Sequence, residues 1–386
     1  MALTLAACAG AAAADFDPVA GVDMDVRYRV EAVEQAGVAD SALASTLRAR
    51  LGVRSKPWHE WLAYVAVEHI QGVGDDRYNS TANGRTNLPV VSDPEDTELD
   101  QAWLGWSREG RSLRAGRQQV NLDNQRFIGA VGFRQNQQTF DGVTAQASVL
   151  GGTLFYGWLS NANRVFGEHH PDPARADLDL DAHLLNYARA FGPIRAVAYA
   201  YLLEFPGLPA QSQADAGLRL TGEPAVGADW HVVFAAEYAK QTDYAEAPAT
   251  VDANYALLEA GTRRHGTTLK AGYEVLGGDG TWSFATPLAT LHAFDGWADR
   301  FLTTPVNGLR DRYVHAAQTL GAFDAALVYH DFVADRGGQD YGTEWNAALG
   351  RKLGPRSAVR LEYADYRAET FGADTRIWWL SLQTGF

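Results

Sequence analysis

Arginine side chains occupy alternate positions in two segments near the start of the sequence. Arg27 and Arg29 lie in VDMDVRYRVEAV, and Arg48 and Arg50 lie in TLRARLGVRS. Apolar residues fill the intervening positions, and this period of two predicts strands with one charged face and one apolar face. A row of guanidinium groups offers forked N–H donors to carboxylates. These four arginines are therefore predicted to bind an anionic solute.

Planar hydrogen-bonding side chains concentrate in GRQQVNLDNQRFIGAVGFRQNQQTFDG, residues 116–142. If residues 122–138 fold inward, they would line a constriction, because amides suit hydroxyl groups and guanidinium groups suit carboxylates. The alternative is a surface loop without function. The predicted pore-lining or solute-binding residues of this region are Arg114, Arg117, Asn124, Gln125, Arg126 and Arg134.

The apolar positions change parity between Ala115 and Val120. A β-bulge at Gly116–Arg117 would account for this change, because one extra residue in a strand reverses the faces that follow it. The bulge would turn Arg117 inward, beside Arg114.

A hydrolase is a second possibility. Ser160, His169 and His170 in LSNANRVFGEHHP supply the nucleophile and base types of a lipase, and EHHPD offers two imidazoles and a carboxylate to a metal. Nothing in the spacing brings the serine to a histidine, and adjacent histidines on an extended chain point apart. We therefore predict no catalytic residues and no metal ligands, and we expect the chain not to be an enzyme.

Three carboxylates alternate in DLDLD, at Asp177, Asp179 and Asp181. They share one strand face, but the glycine and the distal glutamate of an EF-hand are missing. No cofactor is predicted. Acidic loop tips of this kind would instead meet the divalent cations that bridge lipopolysaccharide.

Strands position all of these residues. Period-two segments recur from Val22 to the closing stretch RIWWLSLQTGF, and about eighteen can be counted, each roughly 9 to 12 residues long, as a membrane-spanning strand requires. No apolar window of about 18 residues predicts a membrane helix, apart from the alanine-rich start. The charged faces would meet outside water in a soluble sandwich, but lumen water in a wide barrel.

The connections between strands favour the barrel. Short turns such as LGG at 150–152 and RRHG at 263–266 alternate with long segments at 71–97, 122–138, 160–181 and 277–310. Short turns on one side and long loops on the other are typical of outer-membrane barrels. The sequence predicts an all-β fold: a single transmembrane antiparallel barrel with short periplasmic turns and long extracellular loops.

The formal net charge of -14 argues against a basic lumen, but the positions of the charged residues matter more than their sum. Acidic residues crowd the long loops, whereas arginines stand on the polar faces of strands. Carboxylates such as Asp25 and Glu31 share those faces. We predict a mixed lumen with a basic excess at the first two strands. The alternative is a ladder of salt bridges along the wall.

Aromatic residues are frequent near the predicted strand ends and apolar faces, where Trp and Tyr would mark the membrane interface. This set comprises Trp103, Trp106, Tyr156, Trp158, Tyr199, Tyr201, Trp230, Tyr238, Tyr363, Trp378 and Trp379.

The two ends of the sequence carry further signals. The start, MALTLAACAGAAAADFDP, has the pattern of a secretory signal remnant over residues 1–14, with residues 15–386 forming the barrel. LAAC at Cys8 also matches a lipoprotein box, as a weaker alternative. At the other end, alternate apolar residues finish on Phe386, which we expect the barrel assembly machinery to recognise by strand pairing.

Three stretches resemble the alginate-export family of outer-membrane barrels. They are RYNSTANGRT at 77–86, GRQQVNLDNQRFIGAVGFRQNQQTFDG at 116–142 and FATPLATLHAFDGWADRFLTTPVNGLRDRY at 284–313. The resemblance implies an 18-stranded barrel with a polar lumen and, as in the family's best-known member, an arginine-rich pore for an anionic polysaccharide. Many relatives have no known substrate, so it does not assign one.

These features together predict a bacterial outer-membrane porin for the passive diffusion or export of a polar, anionic solute such as an acidic saccharide. The partners expected are outer-membrane lipid, lipopolysaccharide and that solute, and no nucleic acid. The alternatives are a lipase-like outer-membrane hydrolase and a structural barrel with a plugged lumen.

Overall fold

A computed structural model of the chain describes residues 21–74, 77–247 and 251–386. The predicted signal remnant at 1–14 and Cys8 lie outside the described residues, so that prediction stays untested. No helix in the described ranges is long and apolar enough to cross a membrane.

The described chain folds into eighteen antiparallel strands, each paired with its neighbours in sequence. They are β1 Gly21–Gln35, β2 Ala42–Arg54, β3 Trp61–Gly72, β4 Asp96–Arg108, β5 Arg111–Gln118, β6 Thr139–Val149, β7 Gly152–Asn163, β8 Asp177–Phe191, β9 Ile194–Glu204, β10 Gln213–Gly222, β11 His231–Asp243, β12 Asp252–Arg264, β13 Thr267–Leu276, β14 Leu309–Leu320, β15 Phe323–Val333, β16 Asp340–Lys352, β17 Ser357–Ala368 and β18 Thr375–Gly385. A one-turn helix, α1, spans Pro173–Ala176.

The sheet closes on itself because β1 pairs with β18 as well as with β2. Val30 lies opposite Leu380 at this seam, and the backbone N–H of Phe386 donates to the carbonyl of Met24 at 2.8 Å. Closure leaves no unpaired edge, which is what a strand fold needs in a hydrocarbon environment. The prediction of an all-β barrel with about eighteen strands is confirmed. Recognition of Phe386 by assembly machinery stays a prediction.

Turns and loops segregate to opposite rims. Even-numbered strands end in turns such as 109–110, 150–151, 192–193 and 265–266, whereas β3, β5, β7 and β13 lead into the long segments 73–95, 119–138, 164–176 and 277–308. We call the two ends the short-turn rim and the long-loop rim. The predicted alternation of short and long connections is confirmed.

Side chains alternate between an apolar outer face and a polar inner face. On β18, Trp378, Leu380 and Leu382 point outward and are exposed, whereas Trp379 points inward and is fully buried. The predicted aromatic belt is therefore only partly right. Tyr156, Trp158 and Tyr238 are on the outer face, but Tyr199, Tyr201 and Trp379 belong to the interior.

Two inward tyrosines lie flat against glycines on the neighbouring strand. Tyr199 covers Gly217, and Tyr313 covers Gly272; a Cβ on either glycine would come within 2.5 Å of the ring. Only glycine leaves room for this close approach. The glycines thus let large side chains turn along the wall instead of projecting across the lumen.

Candidate lumen site

Two long segments fold into the barrel and meet there. We call residues 119–138 lumen loop 1 and residues 277–308 lumen loop 2. The backbone N–H of Gly129 donates to the carbonyl of Leu288 at 2.9 Å, and the N–H of Thr290 donates to the carbonyl of Gln125 at 3.0 Å. The Thr290 hydroxyl also accepts the N–H of Val131 at 3.1 Å. These bonds make the two loops one packed unit inside the wall.

An aromatic cluster anchors lumen loop 1 on its apolar side. Phe127 packs between Tyr199 on β9, Tyr255 on β12 and Phe284 in lumen loop 2, with ring centroids 5.1 to 5.8 Å apart. All four rings are buried. Packing of this kind fixes the position of the loop, because aromatic pairs at these distances contribute beyond their buried area.

Arg126 anchors the same loop to the wall by charge. Its Nη2 lies 2.8 Å from Asp295 Oδ2 in lumen loop 2, and its Nε lies 2.8 Å from Glu274 Oε1 on β13. Burial opposes the guanidinium charge, but Asp295 and Glu274 outweigh it and raise the pKa of Arg126 above its ordinary value. Arg126 is therefore a buried cation that contacts two carboxylates.

Arg134 forms a second bridge of this kind. Its Nη1 lies 3.1 Å from Glu31 Oε2 on β1, and its Nη2 lies 2.7 Å from Asp299 Oδ2 in lumen loop 2. Asp299 also accepts from His292 at 2.8 Å. Burial alone would raise the pKa of Asp299, but His292 and Arg134 hold it below its ordinary value. Arg126 and Arg134 thus tie the loops together and to the wall, and their solute-binding role stays a prediction.

Arg27 and Arg29 are on the inner face of β1, as the alternation predicts, but they are not exposed to lumen water. Arg27 donates to the carbonyl of Gly132 at 2.9 Å, to Gln135 Oε1 at 2.8 Å and to the carbonyl of Arg134. The side chains of Arg27 and Arg29 are nearly fully buried. Their role as solute ligands stays a prediction; in this structure lumen loop 1 takes up donors of both side chains.

Arg29 lies over the ring of Phe133, 4.2 Å from its centroid, and donates to the carbonyl of that residue at 2.7 Å. Its Nε donates to Ser381 on β18 at 3.1 Å. Arg29 therefore connects β1, β18 and lumen loop 1.

Arg48 and Arg50 are on β2, the strand next to β1. Arg48 lies opposite Arg27 of β1 in the strand register. Arg48 pairs with Asp25, and Arg50 pairs with both Glu68 and Asp100. The four arginines predicted to cluster do so, but carboxylates neutralise the two on β2. The arrangement here is the salt-bridge ladder that the sequence left open as the alternative.

Gln125 and Asn124 are the two amides of lumen loop 1 that are predicted to bind solute. The Gln125 Oε1 accepts the Thr290 hydroxyl at 2.7 Å and is buried. Asn124 is half-buried beside it. Neither prediction as a solute-binding residue gains support from these contacts.

Arg117 does not turn inward. Arg114, Gly116 and Gln118 share the inner face of β5, so Arg117 lies on the outer face, where its Nε donates to Asp141 Oδ1 at 2.9 Å. The predicted bulge at Gly116–Arg117 is wrong: β5 runs without a register shift. The apolar parity changes because the strand ends at Gln118 and the next residues enter the lumen.

Arg114 differs from the other inward arginines. Its guanidinium stacks on Trp103, 4.1 Å from the ring centroid, and within the described ranges no carboxylate pairs with it. The ring centroids of Trp103 and Tyr64 are 5.5 Å apart. The Arg54 guanidinium carbon lies 5.6 Å from the centroid of the Tyr64 ring. We call Arg54, Tyr64, Trp103 and Arg114 the vestibule cluster. It sits on the inner wall near the short-turn rim, away from the lumen loops.

The hydrolase constellation does not assemble. The Ser160 hydroxyl donates to the carbonyl of Asp141 at 3.2 Å, whereas His169 pairs with Asp96 and His170 contacts the backbone of Asp172 and Thr81. No hydrogen bond in the described part of the chain joins this serine to either histidine. A base that does not reach the nucleophile cannot activate it.

Comparison with known proteins agrees with this architecture. Residues 20–159 match the alginate export family model. Among solved structures, the chain is similar to Pseudomonas aeruginosa OccK9 (OpdG), with a TM-score of 0.77, 16% identity and coverage of 95% of this chain and 98% of that chain. It is also similar to Acinetobacter baumannii OccAB4, with a TM-score of 0.75, 14% identity and coverage of 96% and 99%.

A third similar structure is Pseudomonas aeruginosa OccK2 (OpdF) in complex with glucuronate, with a TM-score of 0.72, 16% identity and coverage of 95% and 98%. A search of curated proteins finds no match. At these identities the structural similarity shows the fold, an 18-stranded barrel of the porin type.

The segment that matches the alginate export model contains the whole vestibule cluster. Sequence reasoning identified Arg114 but assigned Trp103 to the membrane interface. Trp103 faces inward because an extra residue, Asp100, shifts the register between β3 and β4 and reverses the faces beyond it. The alternation of β3 puts Tyr64 on the same face as Glu68. This pattern alone predicts that Tyr64 faces inward.

Proposed function

We propose that the protein is a bacterial outer-membrane channel for small anionic solutes, such as acidic saccharides, and not an enzyme. The observation that carries this proposal is Arg114. It is an inward-facing guanidinium without a described acidic partner, near Arg54, which itself pairs with Asp23 at 3.0 Å. An unpaired cation on a low-dielectric wall attracts anions more strongly than the same charge at a loop tip.

The aromatic members of the cluster fit the same class of solute. Trp103 and Tyr64 stand next to the guanidinium on the inner wall. A sugar acid or an aromatic acid whose carboxylate meets Arg114 would lie beside these rings. Two proteins with the same fold support this choice, because their structures are described with vanillate and with glucuronate.

Reversal potentials in planar bilayers test the proposal. In a potassium chloride gradient we expect a preference for chloride, largest at low salt, where the Debye length is about 30 Å at 0.01 M. Arg114→Gln should reduce this preference and weaken current block by glucuronate. Arg108→Gln, which neutralises an exposed turn arginine, is the matched control. A wild-type preference for cations would refute anion selectivity.

A structural barrel with a plugged lumen is the second candidate. The observation that favours it is the packed unit of lumen loops 1 and 2, which is tied to the wall through Arg126 and Arg134. The same bilayer measurement separates the two functions, because a plugged barrel gives no steady current at any salt concentration.

The outer face near the long-loop rim fits contact with lipopolysaccharide. Asp177, Asp179 and Asp181 are exposed on the outer face of β8, at the end next to that rim. Divalent cations would bridge these carboxylates to lipid phosphates. Binding of lipopolysaccharide to the purified barrel should then need magnesium and fall in an Asp177→Asn, Asp179→Asn variant. Magnesium-independent binding would contradict the bridge.

A further inference from the structure

Three carboxylates converge where lumen loop 2 meets the wall. Glu274 on β13 and Asp311 on β14 are opposite each other in the strand register, and Asp295 approaches them from lumen loop 2. One oxygen from each lies within 4.8 Å of the others. All three side chains are at most 4% exposed. We call these residues the wall–loop carboxylates.

Each carboxylate uses one oxygen to contact the protein. Glu274 Oε1 accepts the Tyr255 hydroxyl at 2.8 Å and lies 2.8 Å from Arg126 Nε. Asp295 Oδ2 accepts from Arg126, also at 2.8 Å. Asp311 Oδ2 lies 2.8 Å from His330 Nδ1. These contacts fix the orientation of all three groups.

The second oxygen of each carboxylate takes no part in these contacts. Within the part of the chain that the structure describes, Asp295 Oδ1 and Asp311 Oδ1 are buried without a hydrogen-bond partner, and the contacts of Glu274 all use Oε1. A buried acceptor without a partner is rare, because desolvation without compensation is unfavourable. Two such atoms in neighbouring carboxylates indicate that another group occupies the space between them.

A cavity of about 20 Å³ adjoins these oxygens, which is room for about one water-sized particle. His315 on β14 lines the same cavity, is 3% exposed and, among the described residues, has no partner at either ring nitrogen. This second, independent unpartnered group also points to a ligand. Lys270 lines the cavity too, but its ammonium group pairs with Glu259.

The chemistry of the converging atoms favours a cation over a neutral water. Three acidic side chains meet at one point, and Arg126 contacts two of them, Glu274 and Asp295. Carboxylate oxygens are the ligands that a hard divalent cation prefers. Ca²⁺ takes six to eight oxygens at 2.3–2.6 Å, so two of its ligands lie at most about 5 Å apart, in agreement with the 4.8 Å limit here.

We infer that Glu274, Asp295 and Asp311 bind a calcium ion through their carboxylate oxygens, and that the ion fastens lumen loop 2 to strands β13 and β14. We choose calcium over magnesium because the carboxylates come from two strands and a loop, and calcium accepts a flexible coordination geometry whereas magnesium needs a nearly ideal octahedron. The ion also holds Arg126 in place through the carboxylates that they share, and so stabilises lumen loop 1. The site does not depend on what the channel transports.

Terbium luminescence tests this site in the intact, folded barrel. Trp297 lines the cavity, so excitation of tryptophan should sensitise a terbium ion bound there, and calcium should displace it. Trp297→Phe should remove the sensitised signal while calorimetry still detects about one calcium per chain. Asp311→Asn and Glu274→Gln should each weaken calcium binding at least about tenfold. Glu109→Gln, at an exposed turn carboxylate that pairs with Arg108, is the control and should leave the sensitised site unchanged.

Thermal unfolding gives a second readout. After treatment with EDTA, calcium should raise the melting temperature of wild type saturably, and raise that of Asp311→Asn much less. Absence of sensitised terbium, or calcium binding that Asp311→Asn and Glu274→Gln leave unchanged, would overturn the inference. Tighter binding of magnesium than of calcium would overturn the choice of ion. Folding failure of one variant leaves the wild-type titration and Trp297→Phe to decide.

Discussion

Arg134 Nη2 lies 2.7 Å from Asp299 Oδ2 and so joins the two lumen loops by a buried ion pair. Asp299→Asn keeps the shape but removes the charge. Loss of one partner of a buried pair typically costs about 3–5 kcal/mol, so we expect the loops to separate more often. Single-channel recordings should show higher or noisier conductance. Asp365→Asn, in a more exposed pair with Arg367, is the control and should change the current little. An Asp299→Asn variant with the conductance and noise of wild type would show that the loops hold together without this pair.

Phe127 should matter through packing alone. Its ring contacts Tyr199, Tyr255 and Phe284, and Phe127→Ala would leave a cavity that weakens docking of lumen loop 1 by about 3–5 kcal/mol. Protease cleavage within residues 119–138 should become faster while the barrel remains folded. Phe191→Ala, at an exposed position, provides the comparison. Equal cleavage rates for both variants would exclude an anchoring role.

Arg117 should have no influence on ion selectivity. It lies on the outer face and pairs with Asp141, so its charge is both neutralised and outside the lumen. Arg117→Gln should leave the reversal potential of wild type unchanged, and the Arg114→Gln, Arg117→Gln double variant should match Arg114→Gln alone. An additional shift in the double variant would place Arg117 in the ion path.

His169 in segment 164–176 should titrate above an ordinary histidine. Its hydrogen bond to Asp96 and the charge of that carboxylate raise the pKa of His169. Because the folded pKa is raised, the contact contributes its full stability below about pH 6.5 and loses it as the pH rises through the folded pKa. Proton NMR of the imidazole should show the raised pKa, and Asp96→Asn should lower it. Glu95→Gln is the neighbouring control; an unshifted His169 in wild type would contradict the pairing.

The fold follows from period-two alternation, which depends only on neighbouring residues. It correctly predicts that Arg27, Arg29, Arg48 and Arg50 share the inner face, and that long and short connections alternate. Alternation fails where one residue is inserted, as at Asp100, and where a strand ends, as at Gln118. A local pattern reveals neither the inserted residue nor the strand end. It therefore predicts the wrong face for Trp103 and Arg117.

The state of the arginines could not be predicted for a different reason. Whether Arg27 meets water or a carbonyl depends on a loop more than one hundred residues away. The wall–loop carboxylates have the same origin: Asp295 reaches Glu274 and Asp311 only because lumen loop 2 folds back into the barrel. Nothing in the sequence spacing of such residues encodes that meeting.

Arg29 contacts β18 through Ser381 and lumen loop 1 through the carbonyl of Phe133, at the seam where β18 pairs with β1. The seam and the docked loop thus depend on the same side chain, and neither set of contacts is complete without the other. During assembly we expect lumen loop 1 to settle only when β18 arrives beside β1. Separation of β18 from β1 at that seam would also release lumen loop 1 from the wall.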